Sequence, residues 1–293
     1  MDDSNLGSLF RSLARLVHDE HMELGPAGKD NCGINRFGDQ SLRADKSAEQ
    51  TIVDTLRNCG IPVRQVTEEL GVFTHPGAQH TLFVDGLDGS SVYKRMPSDC
   101  IASGYGRYAT MLAIYSGIEP LYRDAIVSCI IEHPTRRLII ATEAGCWIEH
   151  FDNEALVEFA RTSQDPLSTT SLIYCESEDP HWGSLLRAKV VEPLAKAGYT
   201  TVATGSTAWQ YVDVATGVAA ATIQWTRKGN LELTVGRQIL EDAGGKVITL
   251  DGMWVADLAY DSFGHDPNNV QIVIAAANSS VAYDLRRLLT EHS

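Results

Sequence analysis

Apolar residues near the start of the chain recur every three or four positions: Leu6, Leu9, Phe10, Leu13, Leu16 and Val17. A helix turns once in about 3.6 residues, so this spacing gathers them on one face and predicts an amphipathic helix from about Asn5 to Met22. The Gly-, Asn- and Asp-rich stretch Gly25 to Gln40 predicts a loop. Ala44, Ala48, Ile52, Leu56 and Cys59 predict a second helix, stopped by Gly60, which suits a left-handed cap. A short apolar run, Thr81 to Val84, ends abruptly in Asp85-Gly86-Leu87-Asp88-Gly89-Ser90-Ser91, predicting a strand that feeds a tight acidic turn.

From Tyr108 onward the pattern turns β-rich. Runs at Tyr108 to Tyr115, Asp124 to Glu132 and Arg137 to Thr142, with a hairpin signal at His133-Pro134-Thr135-Arg136, predict an antiparallel sheet closing a first half, residues 1–150. The polar segment Glu149 to Thr169 reads as the connection to a second half, residues 165–293. There, strands at Ser171 to Cys175, Thr200 to Ala203, Ala221 to Trp225, Lys246 to Leu250 and Val270 to Ala276 are interleaved with helices. The helices fall at Trp182 to Ala197, Thr207 to Gly217, Leu231 to Ala243 and from Ser279. That order predicts a layered α/β arrangement, and the length suffices for a sizeable core.

Charge narrows the functions available. A formal net charge of -14 repels nucleic-acid backbones, so a polymeric nucleic acid is excluded as a partner; a small anionic substrate would need locally bound cations to draw it in. The six cysteines lack the short paired spacing of a zinc site and read as reduced, mostly buried thiols. No apolar run approaches the length of a membrane span and the N-terminus has no signal-like apolar core, so the expectation is a cytoplasmic protein without a membrane partner.

The acidic turn is the first candidate for chemistry. Asp85 and Asp88 bring two carboxylates together, which repel unless a cation or proton lies between them, and Mg²⁺ takes oxygen ligands of this kind. The amides of Gly89, Ser90 and Ser91 could hold a phosphate beside the metal. Asp-Gly turns are also ordinary surface punctuation. Glu68-Glu69 can be read as solvated loop, Gly205-Ser206 as a helix cap or a phosphate or sugar contact, and Glu232 as a favourable charge at a helix start. His75, His80, His133 and His265 lack spaced partners and read as surface or hydrogen-bonded residues; Trp182, Trp209 and Trp225 read as packing, with Trp209 close enough to Gly205-Ser206 to wall a pocket.

Taken in order, these segments resemble the inositol monophosphatase family of metal-dependent sugar phosphatases. Its motifs are an acidic Glu-Glu pair, Asp-Pro-Ile/Leu-Asp-Gly-Thr, Gly-Ser before a helix, and Trp-Asp-Ile-Ala-Ala-Gly leading to Glu-Ala-Gly-Gly. Here they read Glu68-Glu69, Asp85 to Ser90, Gly205-Ser206, and Leu231 to Gly236 leading to Glu241-Asp242-Ala243-Gly244-Gly245. Gly38-Asp39-Gln40-Ser41 with Asp45 and Glu49 resembles a further element.

The resemblance implies an alternating α-β-α-β-α sandwich, commonly dimeric, and hydrolysis of a small phosphate monoester using two or three Mg²⁺. Glu68, Asp85 and the Leu87 carbonyl would hold one ion; Asp85, Asp88 and Glu232 a second; a third would lie near Glu68. Asp45 and Ser90 would orient the attacking water.

The chain departs from the family pattern in four places. Gly86 stands for the motif's proline, Ser90 for threonine and Glu232 for aspartate, and no acid occurs near Thr226-Arg227-Lys228, where inositol-type members bind substrate with a glutamate. Arg227 and Lys228 would instead favour a second phosphate or carboxylate. The alternatives are another phosphate ester, a structural Ca²⁺ turn, for which the ligand run is too sparse, and a catalytically weak or inactive relative acting in binding or regulation.

Overall fold

The computed structural model describes residues 3–97, 106–178, 183–226, 231–260 and 271–291. The chain begins with α1 (Asp3–Leu24), a short 3-10 turn, the hairpin β1 (Asn31–Ile34) and β2 (Gln40–Leu42), and α2 (Arg43–Asn58). It continues through β3 (Val63–Thr67), β4 (Val72–Thr74), β5 (His80–Asp88) and α3 (Ser90–Arg95). Next come β6 (Ala109–Ser116), β7 (Ala125–Glu132), β8 (Arg137–Thr142), β9 (Gly145–His150) and β10 (Asn153–Phe159). After β11 (Ile173–Cys175), α4 (Gly183–Leu186) and α5 (Glu192–Lys196) are joined through a π turn at Arg187–Val191. Two residues beyond that turn lies Pro193, which has no N–H to donate back along the helix. The remainder is β12 (Thr201–Val202), α6 (Thr207–Ala215), β13 (Ala221–Trp225), α7 (Leu231–Asp242), β14 (Lys246–Thr249), β15 (Ile272–Ala276) and α8 (Ser279–Glu291).

Two large sheets result. The first has eight strands in the order β10-β9-β8-β7-β6-β5-β3-β4, antiparallel except for the β3/β5 pair; the second has five, β12-β11-β13-β15-β14. Period-two alternation divides each strand between two cores. Leu82, Val84, Leu112, Ile114, Val127 and Cys129 face Phe10, Leu13, Ile52 and Leu56 of α1 and α2. Phe83, Met111, Ala113, Ile130 and Ile139 face the opposite way, onto α6 and α7 and through them onto Val247, Val273 and Ala275 of the second sheet. The far side of that sheet is covered by Leu186, Val190 and Leu194 and by Val281 and Leu285 of α8. The layers therefore run α-β-α-β-α, the order expected. Among the described residues no helix is long and apolar enough to cross a membrane.

The structure differs from the sequence reading in several places. The Gly25 to Gln40 stretch is not plain loop but holds the 3-10 turn and the β1/β2 hairpin, an element with little buried apolar surface: β1 is exposed along its length. β10 lies within the polar Glu149 to Thr169 connection; as an edge strand it leaves Leu156, Val157 and Phe159 exposed, so it carries no burial pattern to read. Strand β5 also continues through Asp88 rather than yielding to a turn at Asp85. Among the described residues the cysteines are free, with Cys129, Cys146 and Cys175 buried and Cys32 and Cys59 exposed; Cys100, Trp182 and His265 lie outside the described residues.

Because α7 is pressed between both sheets, nearly all of its surface is buried. Replacing Ile239, which is fully buried there, with alanine should destabilise the fold by about 3 kcal/mol. Urea unfolding checks this, and a loss under about 1 kcal/mol would mean that the central layer is loosely packed.

Candidate metal centre

In a regular strand, residues three apart point to opposite faces. Asp85 pairs with Met111 and Asp88 with Ala109, so three steps along β5 match two along β6: the strand carries a β-bulge. The extra residue cancels the alternation, and one carboxylate oxygen from each of Asp85, Asp88 and Glu232 falls within 4.8 Å of the others. The Leu87 N–H, freed from the ladder, donates to Asp85 Oδ1 at 3.1 Å. Gly86 has no room for a side chain, since an added Cβ would stand 2.2 Å from the Asp45 carbonyl oxygen. Gly89 then ends the strand at φ 82°, a left-handed conformation that glycine adopts without penalty, and α3 opens at Ser90.

Each acid is delivered by a different element. Asp88 reaches the start of α6, where Ser206 Oγ donates to it at 2.5 Å and the Ala208 N–H at 2.8 Å. Glu232 is in the first turn of α7. Thr67 is in parallel register with Val84, so Glu68, the next residue along, comes level with Asp85. Asp45 lies in the first turn of α2 and accepts from the Leu42 N–H at 3.3 Å. Glu49, one helical turn on and fully buried, accepts from the amides of Glu68 (2.8 Å), Glu69 (3.0 Å) and Leu70 (2.8 Å), tying the acidic pair to α2. Asn35 donates to Glu68 at 2.8 Å and Ser41 donates to Glu69, so the β1/β2 hairpin clasps the pair from outside.

These groups open into one cleft of about 690 Å³. Of the residues singled out in the sequence, Asp45, Glu68, Asp85, Leu87, Asp88, Gly89, Ser90, Ser91, Gly205 and Glu232 line it. Ser206 is buried behind Asp88, its hydroxyl committed to that carboxylate. Arg227 and Lys228 lie outside the described residues. Trp209 packs beneath the Arg107 guanidinium, 4.8 Å from its ring centre.

Sequence reasoning missed the clasp residue Asn35 and also Glu176. The latter accepts from the Thr204 (2.8 Å) and Gly205 (3.0 Å) amides and so fixes the loop before α6. Neither has a signal in spacing or composition.

Burial, and after it the crowding of like charges, raises the carboxyls of the site. Burial pushes Glu68 up to about 8, with repulsion from Glu232 and Glu69 adding to it. It pushes Asp88 up to about 7, and Glu232 adds while the Ser206 and Ala208 donors oppose. Asp45 and Asp85 stand well above the usual carboxylate range for the same first reason, burial, followed by their acidic neighbours. A set of hard oxygen donors that repel one another, partly buried and open to a cleft, fits a divalent cation of the Mg²⁺ type.

A stability test follows from these shifts. A carboxyl raised from 4.5 to about 8 holds a proton in the folded chain that the unfolded chain has released. The stability this group contributes to the metal-free protein is then fully present below about pH 4.5 and is lost as pH rises through about 8. The buried histidines act in the opposite sense, their stability being lost as pH falls below 6.5. The window from pH 6.5 to 8 isolates the acids. In EDTA the melting temperature should fall across that window and Mg²⁺ should abolish the fall; a flat EDTA profile would contradict the raised carboxyls of the site.

No curated protein sequence matches the chain. Among solved structures, it superimposes on the extragenic suppressor protein suhB from Bartonella henselae with a TM-score of 0.73 at 17% identity, over 98% of each chain. The Thermotoga maritima IMPase gives 0.70 at 18% identity, over 99% of this chain and 98% of that one. An IMPase/NADP phosphatase complexed with Mg²⁺ and phosphate gives 0.71 at 14%, over 98% and 95%. At these identities the likeness speaks for the fold. The profile of the inositol monophosphatase family matches residues 20–291, nearly the whole chain, and the protein belongs to that family.

Proposed function

We propose that the protein is a Mg²⁺-dependent phosphatase that hydrolyses a small phosphate monoester, of the sugar, inositol or nucleotide class. The observation that carries this reading is the convergence of the Asp85, Asp88 and Glu232 carboxylates beside the strand-to-helix junction at Gly89 to Ser91. Family membership and the Mg²⁺ and phosphate in one fold relative support it. In this reading Glu68, Asp85 and the Leu87 carbonyl would hold one ion and Asp85, Asp88 and Glu232 a second, with a third near Glu68. Glu232, a methylene longer than the family's aspartate, still brings an oxygen to the other two acids.

Bound Mg²⁺ supplies charge for the phosphoryl oxygens and acidifies water at neutral pH. The chain's own residues do the rest. Asp45 and the Ser90 hydroxyl orient the attacking water, with Glu68 helping to hold it. The amides of Gly89, Ser90 and Ser91 hold the phosphoryl oxygens, and Ser206 keeps Asp88 in place by the bond described above. Gly205 bounds the far wall of the cleft. Arg227 and Lys228 are assigned, from their charge, to a second anionic group on the substrate. A homodimer in the cytoplasm completes the reading and rests on the resemblance and on composition.

Phosphate release from a panel of sugar monophosphates, sugar bisphosphates, inositol phosphates and nucleotides, with Mg²⁺ or EDTA, tests the activity. Mg²⁺-dependent release from at least one class is expected, and silence across the panel from folded protein would sink the reading. Asp85→Asn should lower turnover by about 100-fold or more with the fold intact, because it removes the ligand shared by two ions. Near-normal turnover would remove Asp85 from that role.

A further inference from the structure

Beneath the bulge, on the side away from the cleft, three histidines are buried together: His18 and His21 of α1 and His133 after β7. None is used by the chemistry above. Thr110 lies on β6 between Ala109 and Met111, the partners of Asp88 and Asp85, and so faces the extra residue of the bulge. Its hydroxyl donates to the Gly86 carbonyl at 2.7 Å, within the stretch where the ladder register shifts. The same oxygen is 2.9 Å from His133 Nε2, and His133 Nδ1 is 3.3 Å from His18 Nδ1.

We propose that Thr110, His133 and His18 form a buried relay of neutral donors that fixes the Gly86 peptide and thereby sets the bulge for cation binding. This rests on the reading of Asp85 and Asp88 as metal ligands.

The direction of every proton in the relay follows from one end. A carbonyl can only accept, so the Thr110 hydroxyl spends its single proton on Gly86. The contact with His133 is then one that the hydroxyl oxygen accepts, which places a proton on Nε2 and leaves Nδ1 bare. The bare Nδ1 accepts from His18 Nδ1–H, leaving His18 Nε2 as a lone pair. That atom is buried and has no partner among the described residues, a cheaper state for an acceptor than for an N–H.

A second proton on His133 would set two N–H groups against each other. Burial opposes that proton, holding His133 well below its ordinary 6.5 and lowering His18 to about 4 and His21 to about 3. Rings lock the orientation: His21 stacks on His133 with centroids 4.0 Å apart, and Phe151 lies 4.6 Å from His18.

Gly86 is where such support is needed. It lacks both a side chain to pack and the ring that fixes φ in the motif it resembles, and the Asp45 backbone fills the space where a Cβ would stand. The relay acts through this peptide, so its members are positioning residues.

The test measures binding of Mn²⁺, a paramagnetic substitute for Mg²⁺, by electron paramagnetic resonance, together with melting in EDTA. Thr110→Val keeps the shape and removes the donor; it should weaken Mn²⁺ binding by about 10-fold, whereas Thr110→Ser should stay within about 2-fold of wild type. His133→Gln, which retains an amide donor, should bind more tightly than His133→Leu, and this pair decides the matter if Thr110→Val does not fold. Wild-type binding with Thr110→Val unchanged, or Thr110→Ser as weak as Thr110→Val, overturns the relay and leaves the metal reading standing. Absence of Mn²⁺ binding in folded wild-type protein overturns both.

Discussion

One extra residue in β5 underlies the whole site. Without the bulge, Asp85 and Asp88 would point to opposite faces of the sheet, one toward α6 and α7 and the other into the apolar layer under α1 and α2. With it, both face the cleft, at the cost of a broken ladder and of carboxylates held closer together than water-free surroundings tolerate. The surrounding structure offsets these two debts. The ladder's loose ends go to Thr110 and to Asp85 itself, and the charges are met by helix amides, hydroxyls and, in the proposed working state, by cations.

The five-layer order explains why the acids can meet at all. α6 and α7 form the middle layer, and Ser206, the N-cap of α6, and Glu232, in the first turn of α7, meet the end of β5 in the eight-stranded sheet. On the opposite side α2 brings Asp45 and Glu49 against the same strand end. The cleft is thus built where both sheets and the starts of four helices, α2, α3, α6 and α7, come together. Its integrity depends on packing that crosses the connection between the first and second halves of the chain, because the core containing Phe83 and Met111 also contains Val235, Ile239 and Val273.

Much of this was legible in the sequence, and what was not has physical reasons. Long amphipathic patterns such as Leu6 to Val17 located α1 closely, because one face of that helix is buried and the other is not. The run from Asp85 to Ser91 stands out because strand and acid meet there, yet the end of the apolar run and the Asp-Gly turn signal place the strand end at Val84, short of the Asp88 that it reaches; a bulge has no composition of its own. β10 was hidden because an edge strand needs no buried face. Glu232 alone looked like a helix-dipole residue, and only the ordered set of motifs pointed to a site. Asn35, Glu176 and the His18–His133 contact, the last spanning 115 residues of sequence, arise only when distant segments fold together.

The acidic cleft also bears on what can enter it. A net charge of -14 repels a string of phosphates from the chain as a whole, whereas in the proposed function a small ester would bring its scissile phosphoryl group within reach of bound cations. In the proposed function, the carboxyls that repel an anion when empty would also bind the cations that attract it. On the proposed function, a cation would compete with protons for Glu68 and Asp88, whose pKa values burial raises, so metal binding would strengthen as pH rises. A rigid scaffold matters for this coupling. If the bulge could relax, the carboxylates would separate and the repulsion that favours a cation would be spent on moving the backbone.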